Sequence, residues 1–336
     1  MNVHQVLSGA GPYDAVTTQA LAFRELFRRW GWGGRDVAAE IDPRVGHRVA
    51  PLRALSSGAL ALGDVLLIHY SAYAPKLRGV VEMPQRKLLL SHNITPARWF
   101  WDHDPQAAVV CALGRKQLPQ FAAGGEVGSD TVIPILFDPA ALGAPARAEP
   151  PGPPTILFVG RLAPHKRQDA VIRAFELYRR RHAPDARLVL VGERAHRGLV
   201  AGVDRRADEL SPGRVTIESG LEPAALAARW RSAHAFLCLS EHEGFCIPLL
   251  EAFHFGVPVV ARPVGGIPEV AGDAALLLDA ADGESVVAEL LALAVGDRQL
   301  RAALRERGAA RVAAYAPEPT ARKLRAAIEG LVASDA

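Results

Sequence analysis

From Thr155 to Leu278 the chain repeats one pattern, a short apolar run followed by a segment long enough for a helix. The runs are Thr155–Val159, Arg187–Val191, Val215–Ile217, Ala235–Leu239, Val257–Ala261 and Ala274–Leu278. Continuous apolar runs of this length, rather than alternating ones, mark strands covered on both faces. Parallel neighbours cannot be joined by a tight turn, so a helix between successive strands predicts a mostly parallel sheet with helices on either side. The first part of the chain repeats the theme less cleanly, with expected strands at Val3–Leu7, Asp36–Glu40, Val65–Tyr70, Lys87–Ser91 and Thr131–Ile135. Between the first two, Thr17–Trp30 reads as a helix with an apolar stripe (Ala20, Leu21, Phe23, Leu26, Phe27, Trp30). Arg24, Glu25, Arg28 and Arg29 fall on its polar side.

A chain of 336 residues exceeds one ordinary core. The break is expected between Pro139 and Pro154, where six prolines with alanine and glycine suit neither a helix nor a strand ladder. The expected organisation is a Rossmann-like domain over 1–140, a Pro-rich linker over 141–154 and a second Rossmann-like domain over 155–315. A last helix over 316–336 would cross back to the first domain. The fold class is α/β: two facing Rossmann-like domains with mostly parallel sheets and a cleft between them, where the carboxyl ends of the strands bind ligand.

Charge narrows the partners. Lys and Arg number 39 against 36 Asp and Glu, a net charge of +3, and neither half carries a basic arm. A nucleic-acid partner is not expected. Three cysteines without a CxxC pair support neither a disulfide framework nor a structural zinc site. No basic leader precedes a long apolar run, and no apolar stretch approaches membrane-spanning length. The expected location is the cytoplasm, with at most peripheral contact with the inner face of the membrane. Only five of the 39 basic residues are lysines, so a lysine in a polar loop draws notice.

One such lysine lies in the loop after the strand Thr155–Val159, which runs Gly160-Arg161-Leu162-Ala163-Pro164-His165-Lys166-Arg167 into a helix. Gly160 permits a tight turn, and Arg161 and Lys166 leave the loop near a helix amino terminus, a clamp suited to a diphosphate. Two solvated loop cations would read the same way. After Ala235–Leu239 comes Ser240-Glu241-His242-Glu243-Gly244-Phe245-Cys246-Ile247-Pro248-Leu249-Leu250-Glu251. Pro248 suits a first helical turn, so the N–H groups of Gly244 to Ile247 are expected at its positive end, flanked by Glu243 and Glu251. Acids there can equally serve only to stabilise the helix. A third loop, Arg262 to Glu269, places Gly265-Gly266 after a strand, for ligand or for close packing.

GR-x4-K in the first loop and Glu-x7-Glu at Glu243 and Glu251 together resemble the retaining glycosyltransferases of family 4, which have the GT-B fold. The segment SEHEGFCIPLLEAFHFGVPVVARPVGGIPEV is similar to that family's donor-binding region, and the resemblance runs from about Thr155 to Ala314. It implies that Arg161 and Lys166, beside Gly160, hold the donor diphosphate and that Glu251 binds ribose hydroxyls. Glu243 would contact the sugar, and the backbone of Gly244, Phe245, Cys246 and Ile247 would hold sugar and phosphate oxygens. In the first domain His92, in Leu90-Ser91-His92-Asn93, matches a histidine near the transferred sugar. Gly9 and Gly11 match a loop close to the diphosphate. Tyr13, Asp14 and Asn93 are acceptor-side candidates, whereas Arg98-Trp99-Phe100-Trp101 reads better as a Trp-rich helix packed in the core.

The expected activity is retaining transfer of a hexose-like sugar from a nucleoside diphosphate sugar to a glycan, lipid-linked or small-molecule acceptor hydroxyl. His92, Arg161, Lys166 and Glu243 would be its catalytic group, with no cofactor and no metal. The alternatives are a nucleotide-sugar 2-epimerase of similar two-domain fold and a non-catalytic nucleotide-sugar-binding protein.

Overall fold

The computed structural model describes every residue except 13, 57–59, 124–130, 146–148, 195–196, 280 and 334–336, and of 122, 123 and 197 only the backbone. Tyr13 therefore lies outside the described residues. The chain forms two compact units, Met1–Leu136 with Pro317–Ala336, and Phe137–Ala316.

The first unit comprises β1 (Val3–Leu7), α1 (Ala15–Arg29), β2 (Asp36–Ala38), β3 (Ala50–Pro51), β4 (Val65–Tyr70), the single turn α2 (Arg78–Val81), β5 (Arg86–Ser91) and α3 (Pro105–Ala123). Its parallel sheet has the order β3-β2-β1-β4-β5. Every residue of β1 and β4 is buried, as expected for central strands covered on both faces. Asp14 starts α1 as its N-cap, its side chain accepting from the Thr17 amide at 2.9 Å.

Three expectations fail in this unit. Arg24 is not on an exposed polar face: it is buried, with Nη2 2.7 Å from Asp36 Oδ1 and 2.8 Å from the Val3 carbonyl, tying α1 to both β1 and β2. Residues 131–135 form no strand, although Ile133 still packs into the core with Leu136. The Trp-rich stretch is a 3-10 turn (Ala97–Trp99) rather than a helix, and Trp101 is half exposed.

The second unit contains β6 (Thr155–Val159), α4 (Gln168–Arg181), β7 (Arg187–Val191), α5 (Arg197–Leu210), β8 (Val215–Glu218), α6 (Pro223–Ser232), β9 (Ala235–Cys238), α7 (Ile247–His254), β10 (Val259–Ala261), α8 (Ile267–Ala271), β11 (Ala275–Leu277), α9 (Glu284–Gly296) and α10 (Arg298–Ala314). Its six parallel strands run β11-β10-β9-β6-β7-β8. Counted from β6, this is the Rossmann order 3-2-1-4-5-6, and the strand order reverses between β6 and β9. Ligands bind in open α/β sheets at the carboxyl ends of the two strands at such a switch point. In this unit those ends carry the Gly160–Arg167 and Leu239–Cys246 loops.

The proline-rich segment belongs to the second unit and is not a free connector between two bodies. Phe137 is buried in its core, Gly143 O accepts from His254 at 2.7 Å, Ala144 O from Arg231 at 3.0 Å, and Glu149 pairs with Arg301 at 3.2 Å. Proline lacks the N–H that a packed strap would otherwise have to satisfy, so this composition can lie against a surface as readily as span a gap. The last helix, α11 (Pro317–Ala333), is part of the first unit and buries Leu324 and Ile328 among Phe23, Phe27, Val65 and Leu67.

Candidate active site

The two switch-point loops of the second unit are joined through backbone and side chains. The Glu241 amide donates to the His165 carbonyl at 2.8 Å, Arg167 pairs with Glu241, and Lys166 Nζ lies 2.6 Å from Glu243 Oε1. The last contact joins residues 77 positions apart and unites the lysine of the first motif with the first acid of the second. Burial works against the Lys166 charge, but the Glu243 carboxylate and the Cys246 and Cys238 sulfurs outweigh it. The ammonium is held above its usual pKa. Arg161 is exposed and forms no ion pair with a described residue.

Cys246 precedes α7 in the left-handed region, at φ +65 and ψ +65, and its side chain makes no capping bond. Among the described residues, the amides of Gly244, Phe245, Cys246 and Ile247 donate to no protein acceptor. Four donors therefore stand at the positive end of α7, where Pro248 has no N–H to add. Glu251 lies one turn into this helix. Its Oε2 is buried without a hydrogen-bond partner, and burial pushes its pKa up to about 7. The Trp230 indole is near enough to offset part of that rise but does not reach hydrogen-bonding geometry.

The third loop supports this site. Gly265 has φ +56, and a Cβ there would lie 1.9 Å from the Glu243 carbonyl; one on Gly266 would lie 2.4 Å from that of Gly244. Only glycine lets these backbones meet, so the Gly-Gly pair holds the Glu243–Gly244 loop in place. Close packing is thus its visible role. Gly160, whose amide donates to Val191 O at 2.9 Å, makes a similar crossing with Gly192.

In the first unit, His92 follows β5 in a chain of hydrogen bonds. Gln5 Nε2 donates to Ala20 O (2.7 Å) and Asp36 Oδ1 (2.8 Å), leaving Gln5 Oε1 to accept from His69 Nε2 (3.0 Å). His69 Nδ1 then accepts from His92 Nε2 at 3.1 Å. This order fixes His69 as a neutral ring protonated on Nε2 and makes His92 a donor through Nε2. Burial lowers the His92 pKa to about 4 and the His69 pKa well below its usual value. Gly9 and Gly11 have negative φ and room for a Cβ, so packing within the unit does not explain their lack of side chains. Asp14 is engaged as the α1 cap, and Asn93 is exposed at φ +39.

The structure thus brings Lys166, Glu243, the four amides and Glu251 together around one switch point. Cys238 was missed at the sequence level. It ends β9 with its Sγ 3.9 Å from Cys246 Sγ and 3.9 Å from Glu243 Oε1, and the only sequence sign of it is a second cysteine eight residues before Cys246. Arg167 and Glu241, which stitch the loops together, carry no sign of that role in the sequence.

Residues 144–311, half of the chain, match the family model described as Glycosyl transferases group 1. The chain belongs to this family. It is 35% identical over 229 residues to the D-inositol 3-phosphate glycosyltransferase of Segniliparus rotundus, covering 65% of this chain and 49% of that one. Identity to the Mycobacterium leprae protein of the same name is 31% over 254 residues, 72% of this chain and 52% of that one. A shorter match, 38% over 119 residues, is to a GDP-mannose-dependent alpha-mannosyltransferase of Mycolicibacterium smegmatis, covering 35% and 28% of the two chains. The chain spans about half the length of the first two of these relatives.

Solved structures place the family member in the GT-B fold. Sucrose-phosphate synthase of Thermosynechococcus elongatus has a TM-score of 0.74 at 17% identity, covering 99% of both chains. An alpha,alpha-trehalose-phosphate synthase (UDP-forming) of Burkholderia vietnamiensis has 0.70 at 12% identity, covering 100% of this chain and 98% of that one. Anabaena HepE, solved with UDP-glucose, has 0.66 at 14% identity, covering 98% and 100%. Among the described residues no helix is long and apolar enough to cross a membrane.

Proposed function

We propose that the protein is a family 4 enzyme that transfers a hexose-like sugar from a nucleoside diphosphate sugar to an acceptor hydroxyl with retention of configuration. The observation that carries this reading is the set of complementary groups at one switch point: a half-buried Lys166 paired with a buried Glu243 and, among the described residues, an exposed Arg161 without an ion pair, four amides without an acceptor and a Glu251 oxygen without a hydrogen-bond partner. Cations and amides suit a diphosphate, and carboxylates suit hydroxyls, so a donor carrying both explains why opposite charges share the site. The names of the relatives, a GDP-mannose-dependent enzyme among them, and the UDP-glucose bound by HepE point to the same class of donor.

As the sugar–phosphate bond breaks, negative charge grows on the leaving diphosphate. Arg161, Lys166 and the amino end of α7 stabilise it more than they stabilise the ground state. These cations meet the charge demand themselves, so no metal is assigned. Glu243 positions the sugar and Glu251 accepts from ribose hydroxyls, its unpartnered oxygen being the acceptor that those hydroxyls satisfy. Attack comes from the face the diphosphate leaves, with the departing phosphate taking the acceptor proton. His92 and the Gly9–Gly11 loop are assigned to the same reaction, and the acceptor is a glycan, lipid-linked or small-molecule hydroxyl.

The test is hydrolysis of UDP-, GDP-, ADP- and dTDP-sugars in the presence of a chelator, with the released anomer read by NMR. One nucleotide class should be hydrolysed with retention. Inversion, or strict dependence on added metal, would overturn the mechanism. Epimerised donor without hydrolysis would favour the epimerase instead.

A further inference from the structure

We infer that Cys238, Cys246 and Glu243 form a binding site for a thiophilic divalent cation, specifically Zn2+, within the donor loop. The three residues are buried, and their donor atoms all lie within 4.8 Å of one another. A tetrahedral zinc with Zn–S distances of about 2.3 Å holds its two sulfurs about 3.8 Å apart. The Cys238 and Cys246 sulfurs are 3.9 Å apart, whereas a disulfide requires about 2.05 Å. The pair is therefore set at a chelating separation and not a bonding one.

The backbone contributes to this placement. Cys246 reaches Cys238 from a left-handed conformation that a non-glycine residue adopts at a cost of about 1 kcal/mol or more. Glu243 supplies the third ligand from the same loop, leaving the fourth vertex for water, as in open rather than closed zinc sites. Lys166, 2.6 Å from Glu243 Oε1, becomes the partner that orients the ligating carboxylate.

The consequence rests on the donor reading given above. Glu243 and Lys166 cannot serve metal and donor at once, so Zn2+ acts as a competitive inhibitor and is no part of catalysis. Three thiols are present, and Cys111 serves as the internal control.

The experiment titrates phosphine-reduced protein with Co2+. A thiolate-to-cobalt charge-transfer band should appear, and Zn2+ should bleach it. Cys238→Ser and Cys246→Ser should each weaken binding by about 100-fold or more, and Cys111→Ser should leave it unchanged. X-ray absorption on zinc-loaded wild type needs no variant and should find two sulfur neighbours with lighter atoms. Absence of the band, its survival in both cysteine variants, or a zinc without sulfur neighbours would overturn the site. A loaded site that leaves donor hydrolysis untouched would instead count against Glu243 as a donor ligand, so the two readings fail separately.

Discussion

At the carboxyl ends of its strands the first unit presents neutral rings, whereas the second presents charges. Both sheets are parallel and share the Rossmann order, so topology does not make the difference. In the first unit His69, Gln5 and His92 form a relay held neutral by burial. In the second, half-buried Lys166 pairs as an ion with buried Glu243, and Glu251 Oε2 is buried without a partner among the described residues. Keeping ions out of water is costly unless something offsets it, and Glu251, without a partner among the described residues, holds its proton up to about pH 7 instead. The lesson is that one scaffold separates a site poised for charge from a site poised for hydrogen bonding.

The comparison breaks most sharply at Lys166. Lys166→Ala should cost about 3 kcal/mol of stability, because it strands the buried Glu243 carboxylate, and about 2 kcal/mol or more in transfer. Denaturant unfolding and donor turnover measure the two effects separately, and near-wild-type values in both would remove the ion pair from the account.

Glu251 gives the next largest effect, with opposite sign in stability. Its folded-state pKa of about 7 lies above the ordinary 4.5, so the folded protein keeps a proton that the unfolded chain loses between those values. Stability from this group is therefore whole below about pH 4.5 and falls as pH rises through 7. Glu251→Gln should gain up to about 3 kcal/mol over wild type at pH 8 and almost nothing at pH 4.5, while weakening donor binding. Equal stability curves across that range would show that the carboxyl is not held out of water.

Arg161→Ala should lower transfer by about 2 kcal/mol while leaving the melting temperature unchanged, since the side chain is exposed and pairs with nothing described. A stability loss comparable to the loss in turnover would make it structural.

The last effect belongs to the first unit and is confined to acid pH. Because His92 titrates near 4 in the folded state and near 6.5 when unfolded, stability should decline as pH falls from 6.5 toward 4. His92→Gln should lessen that decline, with His69 supplying what remains. An unchanged acid profile would place the loss elsewhere.

Much of this contrast was legible in the sequence, but unevenly. The strands of the second unit are continuous apolar runs, and the observed ones fall within or one residue beyond them, because burial on both faces leaves little room for other residues. Arg24 departs from the expected polar face because helical periodicity sorts residues by type on one helix, whereas its partner Asp36 stands on β2. The place of the proline-rich strap was not legible, because composition reports backbone hydrogen-bond capacity and not what lies alongside. At the candidate site, motif spacing located Lys166, Glu243 and Glu251 individually. That Lys166 meets Glu243, and that Gly265 fits only because Glu243 O leaves no room for a Cβ, depends on loops brought together by strand order. Cys238 was invisible for the same reason, since its role exists only where a strand end faces a left-handed turn.

The central claim is that the second unit's charges are arranged for a nucleoside diphosphate sugar. It is tested most directly by thermal-shift titration of wild type and Glu251→Gln with UDP-, GDP-, ADP- and dTDP-sugars, since a ligand that binds only the folded state raises its apparent stability. The account predicts that one nucleotide class raises the wild-type melting temperature at pH 8 and that the variant responds far less at equal concentration. No shift with any of the four classes, or an undiminished shift in Glu251→Gln, would contradict it.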